Sequence, residues 1–128
     1  MGKFLRQRYH KQYLAIGTSF YQGMFNAYGK KLDSTVAHLQ AFTMPPPSKD
    51  SYNYVLGNAG LPLYILDLRS PPPGAVSRWL KGPFEFRLAG IGFNDADESQ
   101  FYDTIGLGAY FDVLIHIQQV TASHLIDY

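Results

Sequence analysis

Residues 13–20 read Tyr-Leu-Ala-Ile-Gly-Thr-Ser-Phe, a short aromatic and aliphatic run without a charged side chain. A strand with one face in water alternates apolar and polar residues, whereas a strand covered on both faces is apolar nearly throughout. The run is of the second kind and predicts a central, buried strand. Leu61–Leu68 and Asp112–Ile117 are further apolar runs that predict two more buried strands.

Amphipathic helices are predicted around these strands. Met1, Leu5 and Tyr9 lie at four-residue spacing and indicate a helix that ends near Tyr9. A second helix is expected after Ser48 as the N-cap, ending at Gly57 or Gly60, and a third over residues 76–82. Apolar strands that alternate with helices predict an α/β fold, to which the hairpin region adds antiparallel character.

Two further strands and one loop complete the predicted order. Residues 34–43 alternate in polarity and predict an outer strand, which the proline triplet at 45–47 ends because proline has no amide hydrogen for a ladder. Residues 84–93 predict another strand. Gly23, Gly29 and the polar stretch at 30–33 predict a loop or hairpin, and Asp95, Asp97 and Glu98 predict a surface loop.

Composition limits the chain to one domain and excludes several functions. The 128 residues carry a net charge of +1, without a long run of one sign, so neither nucleic acid nor an anionic membrane is an expected partner. No apolar run approaches the roughly 18 residues that a transmembrane helix needs, and the amino terminus has no export signal, which favours a cytoplasmic location. Cysteine is absent, so disulfides and thiolate metal sites are excluded.

Groups suited to catalysis are scattered along the sequence. A hydrolase needs a nucleophile or activated water, a base and donors for the developing negative charge. The sequence contains neither the G-x-S-x-G motif of serine hydrolases nor the H-E-x-x-H motif of zinc hydrolases. We therefore predict no catalytic residue, no metal site and no cofactor within the chain. His116 between two isoleucines is expected to be a hydrogen-bonded interior residue, and His10, His38 and His124 are expected to be exposed.

Two carboxylates next to apolar strands are expected to have structural partners, because an unpaired charge there is costly. For Asp67 the candidate partners are Arg69, Arg78 and Arg87. Asp112 is expected to cap or order the turn before the last strand.

Ser19, Tyr21 and Gln22 are the candidate substrate-binding residues. They end the first apolar run and precede Gly23. Ligands of open α/β sheets bind outside the carboxyl ends of the strands, so these side chains are expected to line part of a cleft. The more ordinary interpretation is that aromatic residues in this stretch belong to the core.

The sequence resembles the erythromycin esterase family in an ordered set of short motifs that covers nearly the whole chain. These motifs are Gly2-x-Phe4-Leu5-Arg6, Tyr13-Leu14-Ala15-Ile16-Gly17-x-x-Phe20-x-x-Gly23, Ser51-Tyr52, Leu66-Asp67-Leu68-Arg69, Trp79-Leu80 before Gly82-Pro83, and Phe111-Asp112-x-Leu114-Ile115.

The resemblance implies a metal-independent hydrolase that opens the macrolactone ring of macrolide antibiotics or acts on another ester, with a water as the attacking group. It implies an α/β domain with a mixed, mostly parallel sheet and covering helices, of which residues 1–128 form the carboxy-terminal segment. It also implies that the essential histidines and glutamates lie in earlier segments. The expected partners are then a small-molecule substrate and the remainder of the same polypeptide. Apolar edges and faces of the sheet are expected to be exposed in this segment alone.

A second hypothesis is an independent small binding module that holds a glycan or a partner protein on its aromatic surface. The two hypotheses differ in autonomy. A monomeric chain with a cooperative unfolding transition favours the module, whereas aggregation or a molten state favours the segment of a larger domain.

Overall fold

A computed structural model of the protein describes residues 2–31, 35–89, 92–94 and 98–124. The strands are β1 (Ile16–Lys30), β2 (His38–Met44), β3 (Leu63–Asp67), β4 (Phe84–Arg87), β5 (Gly92–Asn94), β6 (Tyr102–Ile105) and β7 (Val113–Val120). The α-helices are α1 (Gly2–Tyr9), α2 (Tyr52–Gly57), α3 (Ala75–Lys81) and α4 (Leu107–Tyr110). The longest described helix, α1, has eight residues, which is far too few to cross a bilayer.

A five-stranded mixed sheet organises the described residues. Its order is β2-β1-β7-β3, and β5 pairs with the end of β1. β1 runs parallel to β7 and β5, whereas the β1–β2 and β3–β7 pairs are antiparallel. β4 and β6 form a separate antiparallel pair. The predicted mixed α/β fold is confirmed, although parallel pairs do not outnumber antiparallel ones.

β1 is central, as predicted, but it is much longer than the apolar run that revealed it. It extends over 15 residues through Gly23 and Gly29, which the sequence had assigned to a loop or hairpin. Gly23 has a φ of +131°, and a Cβ there would lie 2.1 Å from the carbonyl oxygen of Val120. A Cβ on Gly29 would lie 2.0 Å from the carbonyl oxygen of Phe93. Both glycines therefore permit close strand packing rather than a turn.

Two other strand predictions are corrected. β3 was expected to be buried, but it is an edge strand whose outward residues Leu63 and Ile65 are 61% and 68% exposed. The strand expected over residues 84–93 is divided into β4 and β5, with Gly90 between them outside the described residues. Asp95 and Asp97 also lie outside the described residues, and Glu98 begins a short 3-10 helix at Glu98–Phe101.

The three predicted helices are present as α1, α2 and α3, and two hydrophobic clusters join the elements. α2 begins one residue after Ser51, whose hydroxyl accepts the amide hydrogen of Tyr54, so Ser51 rather than Ser48 is the N-cap. The larger cluster joins α2, α3 and α4 to the sheet through buried Tyr52, Leu56, Leu68, Leu80, Phe86, Ile105, Leu107 and Leu114. The smaller cluster packs β1, β2 and β5 together through Ala27, Phe42, Met44 and Phe93.

The sheet has one covered face and one open face where β1, β7 and β3 lie side by side. In register, Gly17 pairs with buried Leu114 and Ser19 with buried His116, and these rows face α2. The alternate rows point the other way. We call them the open face, which is formed by Ile16, Thr18, Leu63, Ile65, Val113, Ile115 and Ile117. Its exposed aliphatic side chains confirm the expectation of an uncovered apolar face.

Candidate functional site

The three predicted substrate-binding residues lie in the interior of β1 and point to different sides of the sheet. Ser19 is buried, at 4% exposure, on the covered face. Tyr21 lies on the same side, with its ring 6.3 Å from that of Tyr54 and packed against Gly57 of α2. Gln22 lies on the opposite side and donates its amide hydrogen to Gln119 of β7 at 3.3 Å. The structure therefore does not bring the three side chains together.

Gln22 nevertheless lies beside the carboxyl end of the parallel strand β7, because it pairs with Gln119, next to the last residue of that strand. Asn26 lies four residues after Gln22 in β1. Its side-chain amide donates to the backbone carbonyl of Ser123 at 2.6 Å and contacts the Ser123 hydroxyl at 3.0 Å. The open face thus changes from aliphatic to polar along β1. Hydrogen-bonding groups of this kind can bind the hydroxyl and carbonyl groups of a substrate.

Ser19 contacts the one completely buried histidine of the described residues. Its hydroxyl oxygen lies 2.8 Å from His116 Nδ1, and His116 is 0% exposed. The ring of Tyr64 lies 5.2 Å from the imidazole, and its hydroxyl donates to the carbonyl of Leu56. Burial lowers the pKa of His116 from 6.5 to about 4, so the imidazole is neutral at pH 7. The predicted hydrogen-bonded interior histidine is confirmed.

The distance between Ser19 and His116 would suit a nucleophile and its base, but the surroundings do not. A catalytic pair needs access to substrate and a third group that orients the histidine. Both side chains are closed off from solvent by the covering layer, and His116 Nε2 has no hydrogen-bond partner among the described residues. The pair therefore connects β1 to β7 and is buried away from solvent in the part of the chain that the structure describes.

The burial of His116 predicts a pH-dependent stability. In the unfolded chain the imidazole titrates near pH 6.5, whereas in the fold it titrates near pH 4. Between these values the unfolded state binds the additional proton, so this stabilisation is complete above pH 6.5 and is lost as the pH falls. We expect the free energy of unfolding to drop by about 2 kcal/mol between pH 7 and pH 5, measured by urea titration at each pH.

The variant His116→Gln provides the control for this pH dependence. It retains a hydrogen-bonding side chain and removes the ionisation, so its free energy of unfolding should be nearly flat between pH 5 and pH 7. Asp112 and Asp67 do not confuse the result, because their pKa values are lowered from 3.8 and their contribution is lost only at more acidic pH. An equally steep slope in both proteins would refute the assignment to His116.

Both strand-flanking carboxylates have the structural partners that the sequence predicted. Asp67 pairs with Arg69 at 2.6 Å, and the hydrogen bonds from Arg69 lower its pKa to about 2. Asp112 accepts the amide hydrogen of Ala15 at 2.8 Å, which lowers its pKa, and also pairs with Arg6 at 3.1 Å. Asp112 therefore orders the chain that enters β1 and attaches α1 to the sheet.

A cavity that sequence reasoning missed lies where β1 and β5 end together. It has a volume of about 600 Å³, and its walls include Tyr28, Lys30, Lys31, Phe93 and Asn94. Lys30 pairs with Asn94, so the carboxyl ends of the parallel strands β1 and β5 both lie at this cavity. Ligands of α/β sheets favour this position. The contact of Gly29 with Phe93 that creates it has no signal in the sequence, because it depends on the distant pairing of β1 with β5.

The other three histidines lie at the surface of the described part of the chain. His10, His38 and His124 are exposed, as predicted. Within residues 2–31, 35–89, 92–94 and 98–124, no group of three histidine or acidic side chains is arranged to hold a metal ion.

The family profile described as erythromycin esterase matches residues 1–120. The chain belongs to the erythromycin esterase family. This assignment confirms the resemblance of the sequence motifs and places the chain in a family of hydrolases. None of the curated proteins is similar enough to count as a match.

Two solved structures share the fold of this family segment. A Bacillus cereus protein is 29% identical with a TM-score of 0.79, and the alignment covers 94% of this chain and 28% of that one. A succinoglycan biosynthesis protein is 26% identical with a TM-score of 0.75, and the alignment covers 94% of this chain and 27% of that one. The chain thus spans less than a third of the length of these similar structures.

Proposed function

We propose that the chain is the carboxy-terminal portion of an esterase of the erythromycin esterase type. In this proposal it completes the sheet of the domain and lines part of the substrate cleft, while the remainder of the domain supplies the catalytic groups. The substrate class is a carboxylic ester, with the macrolactone ring of a macrolide as the first candidate. The resemblance implies attack by an activated water without a metal.

The observation that carries the proposal is the family match over residues 1–120 in a chain that corresponds to only 28% of a solved relative. The chemistry of the described residues agrees with it. Ester hydrolysis needs an accessible base and donors for the developing oxyanion, and the Ser19–His116 pair is closed beneath the covering layer. In this proposal the base and the oxyanion donors are therefore supplied by the remainder of the domain.

Substrate contacts are proposed at the polar end of the open face. Gln22 donates one amide hydrogen to Gln119, which leaves the carbonyl oxygen of Gln22 and the amide nitrogen of Gln119 for other partners. Ser19 and Tyr21 lie on the covered face of the sheet, where Ser19 contacts β7 and Tyr21 contacts α2. They therefore fix the position of β1. In this arrangement Gln22 touches the substrate, and the other two predicted residues position it.

Hydrolysis assays with two proteins test the proposal. The purified 128-residue chain is expected to cleave neither erythromycin nor 4-nitrophenyl acetate, measured by mass spectrometry and by absorbance. A chimera that takes the rest of the domain from the Bacillus cereus relative is expected to hydrolyse an ester. In that chimera, Gln22→Ala should raise KM more than it lowers kcat, and Thr43→Ala on the exposed side of β2 should do neither. Hydrolysis by the isolated chain, or an inactive but folded chimera, would count against the proposal.

A further inference from the structure

The open face of the sheet carries an apolar surface that is too extensive for an isolated chain. Thr18 pairs with Ile115 and Ile115 pairs with Ile65, so these three side chains form one row across β1, β7 and β3. The flanking rows contribute Ile16 beside Val113 and Leu63 beside Ile117. The outermost side chains, Ile16, Leu63 and Ile65, are 56%, 61% and 68% exposed. Soluble proteins seldom leave such contiguous aliphatic surface in water.

Charge is nearly absent from this surface. The only ionised group in the three rows is Asp67, which lies at one end beside Val113 and is neutralised by Arg69 at 2.6 Å. A surface intended for solvent on an antiparallel or mixed sheet would carry polar residues at these alternate positions. The open face instead has the aliphatic composition of a sheet face that is buried inside a layered α/β domain.

An incomplete strand edge adjoins the same surface. Among the described residues, the ladder partners of Ile16–Gln22 all lie on β7, and β2 begins to pair only at Gly23. The opposite edge of this half of β1 is therefore without a neighbouring strand in the part of the chain that the structure describes. Unpaired edges favour the addition of another strand.

We propose that the open face and the adjoining edge of β1 are the docking surface for the rest of the erythromycin esterase domain. This inference rests on the proposed function, and it specifies which surface joins the two parts. The solved relatives share this fold over only 28% and 27% of their chains, so they contain ample polypeptide to form a covering layer. The occupant has to present an aliphatic, uncharged face of its own to Ile65 and its neighbours.

A two-chain binding experiment tests the docking surface. The 128-residue chain is mixed with a polypeptide that comprises the residues of the Bacillus cereus relative outside the alignment, and association is followed by analytical ultracentrifugation. The expected result is a one-to-one complex in which amide hydrogen exchange slows along Ile16–Phe20 of β1. The variant Ile65→Glu should raise Kd at least about tenfold, because a carboxylate would be buried against an aliphatic face.

Val55→Glu is the matched control, because it introduces the same charge at a residue that is 48% exposed on α2, the helix on the covered side of the sheet. Its Kd should equal that of the original chain. A complex that Val55→Glu breaks and Ile65→Glu does not would overturn the proposal. A homodimer through the open face that the added polypeptide does not displace would also overturn it, since the occupant would then be a second copy.

Covalent fusion keeps the test decisive where two separate polypeptides fail to associate. In the chimera described above, Ile65→Glu should lower Tm by several degrees and Val55→Glu should leave it unchanged. Equal effects of the two substitutions would contradict the inference. The readouts are independent of hydrolysis, so a complex or chimera that assembles as expected but cleaves no ester refutes the proposed function and leaves the docking surface standing.

Discussion

Replacing Arg87 with methionine lowers the free energy of unfolding by about 3–5 kcal/mol. The guanidinium is 1% exposed and pairs with Glu98 at 3.0 Å. It also donates to the backbone carbonyl oxygens of Pro45 at 2.8 Å and Tyr21 at 2.7 Å. One side chain thus connects β1, the segment after β2 and the 3-10 helix at Glu98. Methionine fills a similar volume but removes the charged donor of both carbonyls and of Glu98, which keeps only the Tyr102 hydroxyl at 3.3 Å.

Urea unfolding of the chain measures this effect, and Arg69→Met is its control. Arg69 also forms an ion pair with an aspartate, but that pair is exposed on both sides, with side chains 57% and 54% accessible. Solvent already satisfies such groups, so the midpoint of the Arg69→Met variant should not change measurably. If Arg87→Met unfolds at the same urea concentration as the original chain, the buried pair does not hold these elements together.

Replacing Gly23 with alanine lowers the free energy of unfolding by about 3–5 kcal/mol, because two costs coincide. The backbone of Gly23 has a φ of +131°, a conformation that residues with a Cβ avoid. The added Cβ would lie 2.1 Å from the carbonyl oxygen and 2.7 Å from the amide nitrogen of Val120. Val120 is the last residue of β7, so its backbone atoms cannot move aside without opening the end of the β1–β7 ladder.

Gly60→Ala separates the two costs. Gly60 also has a positive φ, +72°, but no atom lies within 4 Å of the Cβ position. Its replacement should cost only the backbone term, about 1 kcal/mol. Thermal unfolding followed by circular dichroism compares the two variants. Equal losses for Gly23→Ala and Gly60→Ala would mean that the approach of Val120 to β1 contributes nothing.

The sequence predicted those elements whose signal is local. The run at 13–20 indicated the central strand, the spacing at 1–9 indicated α1, and the pattern at 76–82 indicated α3. His116 was correctly assigned to the interior because isoleucines flank it on a strand. In each case the residue types within a few positions contain the information, because periodicity and capping act over one or two turns.

Errors arose where a residue type has two structural uses. Gly23 and Gly29 were assigned to a loop, since glycine marks turns, but here each glycine allows another strand to approach β1 closely. The apolar run at 61–68 indicated a buried strand, but β3 forms the sheet edge with Ile65 outward. Among the three candidate partners of Asp67, the structure selects Arg69, whereas tertiary packing brings Arg87 to Glu98, a pairing that the sequence did not indicate.

The sequence by itself determined the family, the α/β class and the wide separation of the catalytic residue types, because short motifs and local periodicity contain that information. Only the tertiary structure decided that Ser19 faces His116, that Gln22 faces Gln119, and that Ile16, Ile65 and Ile115 form one exposed surface. These placements depend on which strands pair and in which register. A shift by one residue would reverse every one of them, and no local pattern specifies the partner of a strand almost a hundred residues away.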